Sequence, residues 1–158
     1  MTAIPGNNRN LTLLLIEDDR VDQMAFSRLI RDQRPAYTVR IAGTLAEARI
    51  LLGKEKVDIV ICDFYLGEGT PFDIIPDLQK RGIPIIIVSG AEDEDSAALA
   101  IRQGAFDFIV KDQNYNYLKV LPLAIERALE GISPAATDTV NGNGSAAGGS
   151  LPETDLPG

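Results

Sequence analysis

A single cysteine, Cys62, stands in a chain of 158 residues. No intrachain disulfide can form, and such usage fits a reducing compartment. Long apolar runs are missing as well: stretches such as IPIIIV at 83–88 fall far short of the ~20 residues a membrane-spanning helix needs. The opening MTAIPGNNRN has no apolar core of the kind a secretory signal requires, so a cytoplasmic location is expected. Positive charge is scarce: 15 Lys and Arg face 23 Asp and Glu, for a net charge of −8. That balance opposes non-specific attraction to nucleic acid phosphates or anionic lipid, and neither is an expected partner.

What is present describes a globular chain, 45% hydrophobic and 24% charged, with length for one domain plus tails. LTLLLI at 11–16 reads as a strand, and the helix RVDQMAFSRLIRD after it places Val21, Met24, Ala25, Phe26, Leu29 and Ile30 near helical spacing. TVRIA at 38–42 is a second strand. Thr44 and Glu47 match a capping box opening LAEARILL, with Gly53 expected behind that helix. VDIVIC at 57–62 is a third strand; Thr70 and Pro71 then supply an N-cap and a first helical position for FDIIPDLQK, which Pro76 is expected to kink or interrupt. PIIIVS precedes EDEDSAALAIRQ, whose acidic first turn suits a helix N-terminus and whose exit is Gly104. FDFIV precedes YLKVLPLAIERALE, which Gly131 stops. Nearly continuous apolar strands alternating with amphipathic helices imply a doubly wound α/β fold, a five-stranded parallel sheet covered on both faces.

In open α/β sheets, ligands bind beyond the carboxyl ends of the strands. Those ends read Glu17-Asp18-Asp19, Asp63, Ser89-Gly90 and Lys111. Singly, each is an ordinary cap, turn or surface residue. Together they gather carboxylates whose repulsion a divalent cation relieves, and a hard cation such as magnesium bridges carboxylates to phosphate. No Gly-x-Gly-x-x-Gly or P-loop follows the first strand, and the acidic turn there would repel a pyrophosphate.

The ordered set LLLIEDD, VDIVICDFYLG, PIIIVSGAED and GAFDFIVKD resembles the receiver domain of two-component response regulators over roughly residues 10–130. The resemblance implies the flavodoxin-like strand order 2-1-3-4-5. It implies that Asp63 is the phosphoacceptor, that Asp18 binds Mg2+ (or Mn2+) directly and Glu17 mainly through water, and that Tyr65 offers its backbone carbonyl to the metal. Ser89 would supply a hydroxyl, Lys111 a mobile charge, and Ser89 with Phe108 the switch. The implied partners are a sensor histidine kinase or histidine phosphotransfer protein docking on the first helix, and a downstream protein on the fourth helix, fifth strand and fifth helix, where a homodimer could also form. Such a chain assists only its own phosphorylation and dephosphorylation and is not an enzyme in the wider sense. A phosphatase with an aspartate nucleophile would need a second aspartate where Tyr65 stands. The other reading is a pseudo-receiver, a scaffold that works without phosphorylation.

Three features depart from the family pattern. Asp112 follows Lys111 where a cis proline is usual, which puts the geometry of that loop in question. Gly67 and Pro71 exchange the usual proline and glycine of the loop after Asp63. No output domain follows, so a stand-alone receiver is expected at 10–131, with an N-terminal tail at 1–9 and a flexible Gly-, Ser- and Pro-rich tail at 132–158.

Overall fold

A computed structural model describes residues 10–90 and 94–131. The expected tails and the acidic turn at 91–93 lie outside the described residues.

Five β-α units follow in order: β1 (Thr12–Ile16), α1 (Arg20–Gln33), β2 (Thr38–Ala42), α2 (Leu45–Lys54), β3 (Ile59–Asp63), α3 (Ile75–Arg81), β4 (Ile85–Ser89), α4 (Glu94–Gln103), β5 (Asp107–Val110) and α5 (Tyr117–Glu130). All strands pair in parallel in the order β2-β1-β3-β4-β5. The chain is thus doubly wound, as its apolar strands require: both faces of a parallel sheet must be covered.

Alternation along the strands separates two cores. Leu14, Ile16, Val60, Cys62, Ile85 and Ile87 pack under α2, α3 and α4, against Ala48, Leu52, Ile75, Leu78 and Ala100. Leu13, Leu15, Ile59, Ile61, Ile86 and Val88 pack under α1 and α5, against Phe26, Ile30, Leu121 and Ile125. Side chains two apart on a strand share a face, so each strand serves both cores.

Local signals set most boundaries. Asp19 caps α1 by accepting from the Asp22 N–H, and Thr44 caps α2 by accepting from the Glu47 N–H. Glu47 returns its carboxylate to the Gly43 N–H, one residue before the cap. Gly131 ends α5 at φ 79°, a left-handed conformation that glycine reaches without a Cβ penalty.

Three expectations change. Gly53 does not end α2, which runs on to Lys54 with Glu55 as its cap. The segment from Pro71 divides into a 3-10 turn, Pro71–Asp73, and α3; Pro76 stands in the first turn of α3, where a missing N–H costs no intrahelical bond. Val21 and Met24 share helical spacing with Phe26 and Ile30, yet they are 61% and 58% exposed. The buried stripe of α1 therefore runs back from Ile30 and Phe26 toward Asp22.

Candidate functional site

Register brings the predicted residues together at one sheet edge. Ile16 pairs with Cys62, so Glu17 and Asp63 emerge side by side; Asp63 pairs with Val88, and Ser89 with Val110, the residue before Lys111. Glu17 and Asp63 continue the alternation of Leu15 and Ile61, and so they face the α1/α5 side. Glu17 is consequently 3% exposed and Ser89 1% exposed, both at the end of a packed layer.

The carboxylates of Glu17, Asp18 and Asp63 form a group in which one oxygen from each lies within 4.8 Å of the others. This donor set consists of oxygens alone, as a hard divalent cation prefers. The electrostatics fit such an occupant. Burial pushes the Glu17 carboxyl up to about 7, against the opposing pull of its hydrogen bond to Lys111 and that from the Asp19 N–H. Burial also raises the Asp63 carboxyl; Lys111 opposes this, and the charge of Asp18 adds to it. Crowded, desolvated carboxylates of this kind gain by sharing a cation.

Lys111 spans the group. Its Nζ lies 2.7 Å from Glu17 Oε1, 2.9 Å from Asp22 Oδ2 and 3.7 Å from Asp63 Oδ1. Burial works against its charge, but the hydrogen bonds to Glu17 and Asp22 and the charge of Asp63 outweigh burial and raise its pKa. The ammonium stays protonated. Asp22 was not among the residues singled out from sequence. Its signal was available: it precedes Phe26 and Ile30 by one and two turns, and an acid on a buried stripe needs a partner.

The loop after Asp63 is held by its own residues. The Phe64 N–H donates to Val88 O, extending the β3 pairing, and the Tyr65 backbone N–H favours the charged form of Asp63 while the Tyr65 ring is largely exposed. Leu66 and Gly69 form an antiparallel bridge. Glu68 then accepts a 2.6 Å hydrogen bond from the Leu45 N–H, the first residue of α2, and so ties this loop to a helix N-terminus. A Cβ at Gly69 would lie 2.7 Å from the Asp73 carboxylate and 3.1 Å from Leu45, so a side chain there would push the Asp73 carboxylate off its hydrogen bond from the Thr70 N–H. Phe108, on β5, presents its ring at a steep angle to Phe64, with centroids 6.4 Å apart.

The Lys111-Asp112 peptide is trans. Its loop is set by other means: the Lys111 N–H donates to Ser89 O, and Asp112 Oδ1 accepts from the Tyr117 N–H at 2.9 Å, capping α5 where Asn116 makes no side-chain cap. Asp112 is slightly desolvated, which raises its pKa; the backbone N–H of Tyr117 and its neighbours outweigh this and lower it. Tyr115 takes a left-handed φ of 60° to turn the chain into the helix.

A family model described as the response regulator receiver domain matches residues 13–121. The chain belongs to that family. This receiver is 28% identical over 110 residues to the transcriptional regulatory protein DpiA of Escherichia coli K12, covering 68% of the chain and 49% of that protein. It is 33% identical over 129 residues to the transcriptional regulatory protein GlrR of the same organism, covering 80% of the chain and 28% of that protein. The receiver thus spans less than half the length of these curated relatives. Among solved structures it resembles a CheY-like receiver domain protein from Methanospirillum hungatei JF-1, with TM-score 0.68 and 20% identity over 78% of this chain and 97% of that one. It also resembles a LuxR-family two-component response regulator from Aurantimonas sp. SI85-9A1, with TM-score 0.69 and 24% identity over 84% of this chain and 96% of that one. At these identities the structural likeness establishes the shared fold. No described helix of the receiver is long and apolar enough to cross a membrane.

Proposed function

We propose that residues 10–131 accept a phosphoryl group on Asp63 from a phosphohistidine of a sensor histidine kinase or a histidine phosphotransfer protein. The observation that carries this reading is the position of Asp63: its carboxylate, 12% exposed, ends a central strand beside Glu17, Asp18 and the ammonium of Lys111. An Asp63 oxygen forms the new P–O bond as the P–N bond of the phosphohistidine breaks, the electron pair remaining on the imidazole nitrogen. Lys111 lies near enough to offset charge gathered on the transferred oxygens. Ser89, on the neighbouring strand end, is the hydroxyl donor for the same group, and Gly90 beside it leaves room.

Asp18 and Asp63, with Glu17 acting mainly through water and Tyr65 through its backbone carbonyl, would hold Mg2+ or Mn2+. When bound there, such a cation would supply charge neutralisation at the phosphoryl oxygens. Phosphorylation draws Ser89 toward Asp63, and the packing of Phe108 against Phe64 carries the change to the α4, β5 and α5 surface, where a downstream protein or a second copy docks. The exposed Val21 and Met24 on α1 offer the kinase an apolar contact. The reaction is confined to the protein's own phosphorylation and dephosphorylation, in the cytoplasm.

Incubating the chain with Mg2+ and acetyl phosphate and measuring intact mass tests the assignment. One added phosphate is expected, none in Asp63→Asn, and an unchanged yield in that variant refutes the site.

A further inference from the structure

Lys111 is held by a carboxylate that lies outside the acidic group. Its Nζ donates to Glu17 Oε1 at 2.7 Å and to Asp22 Oδ2 at 2.9 Å, while the nearest oxygen of Asp63 is 3.7 Å away. Glu17 belongs with Asp18 and Asp63 in the candidate metal group, but Asp22 does not. It reaches the site from α1, in the first turn, directly ahead of the buried Phe26 and Ile30. Only 21% of the Asp22 side chain and 16% of the Lys111 side chain are exposed, so water screens this pair far less than a surface ion pair.

We propose that Asp22 is a positioning residue that withholds Lys111 from a phosphoryl group on Asp63, and so sets how tightly that group is held. The proposal rests on the reading of Asp63 as the phosphoacceptor. To close on a phosphoryl group, the ammonium must loosen its 2.9 Å bond to Asp22, a bond that costs free energy to break in a partly buried site. That hold favours the lysine's resting position, and it acts only through Lys111. Because α1 carries the exposed Val21 and Met24 one residue before and two after Asp22, a partner on that helix lies next to the residue that holds the lysine.

The test is equilibrium binding of fluoroberyllate, a non-covalent phosphoryl mimic, to the full chain in saturating Mg2+, followed by 19F NMR. Asp22→Asn keeps the shape and removes the charge, and it is expected to bind roughly fivefold more tightly than the unaltered chain, the scale of one screened charge pair. Asp22→Glu is expected to restore the original affinity. Lys111→Met removes the group on which Asp22 acts, so adding Asp22→Asn to it is expected to change nothing. Equal or weaker binding in Asp22→Asn overturns the proposal, as does a fivefold gain that persists without Lys111, since that gain would come from repulsion alone. If the unaltered chain binds no more fluoroberyllate than Asp63→Asn does, the phosphoacceptor reading itself falls and takes this proposal with it.

Discussion

Glu17 is the residue whose environment has the most direct consequence for stability. Its carboxyl is pushed from an ordinary value of 4.5 up to about 7, first by burial, so the folded protein binds that proton more tightly than the unfolded chain does. The stability gained is complete below the unfolded value and is lost as pH rises through the folded one. Asp63, also raised, contributes in the same direction. In metal-free buffer the protein is therefore expected to lose stability between about pH 5 and about pH 7.5, by at most roughly 3 kcal/mol from Glu17. Glu17→Gln, which mimics the protonated carboxyl, should flatten that fall when urea midpoints are measured across the range. An unchanged slope would refute the account. Mg2+ should reverse the trend, since a cation binds the ionised carboxylates that the metal-free site disfavours.

At the scale of elements, the loop between β3 and the 3-10 turn behaves as part of the α2 N-terminus. Glu68 places a carboxylate on the Leu45 N–H, and Thr44 caps the same helix from its own side chain. A charge at a helix N-terminus is worth about 0.3–1 kcal/mol. Glu68→Ala is expected to lower the unfolding free energy by that amount, read from urea denaturation, and to speed hydrogen exchange at the Leu45 amide. Unaltered exchange there would show that the loop is held by the Leu66 and Gly69 bridge instead. The same logic explains the other unusual loop, where the Asp112 side chain takes over the capping of α5.

At the scale of the whole molecule, the site exists because two cores meet at one edge of the sheet. The α1/α5 core buries Glu17 and supplies Asp22, whereas the α2–α4 core contains Cys62 and Phe64 on either side of Asp63 in sequence and packs Phe108 behind them. A cation shared by Glu17, Asp18 and Asp63 would join the turn after β1 to the end of β3. Mg2+ is therefore expected to raise the thermal midpoint, with about 2.7 kcal/mol of added stability at a hundred times its dissociation constant. Asp18→Asn should remove most of that shift in differential scanning fluorimetry, and a shift of equal size in the variant would place the cation elsewhere.

The strands, their parallel arrangement and the placing of Glu17, Asp18, Asp63, Ser89 and Lys111 at the strand ends were legible in the sequence, because strand ends and apolar runs are local signals that a doubly wound fold converts directly into position. The end of α2 and the exposure of Val21 and Met24 were not, because helical spacing alone admits more than one buried face and only packing on the sheet selects one. The pairing of Asp22 with Lys111 belongs to the same class. The two residues are 89 apart in the chain, and it took the docking of α1 beside β5's end to bring a first-turn acid within 2.9 Å of the lysine. The sequence by itself determined which charged and polar groups stand at the strand ends; the tertiary structure decided which of them hold one another, since a charge in a partly buried site takes its partner from whatever element packs against it.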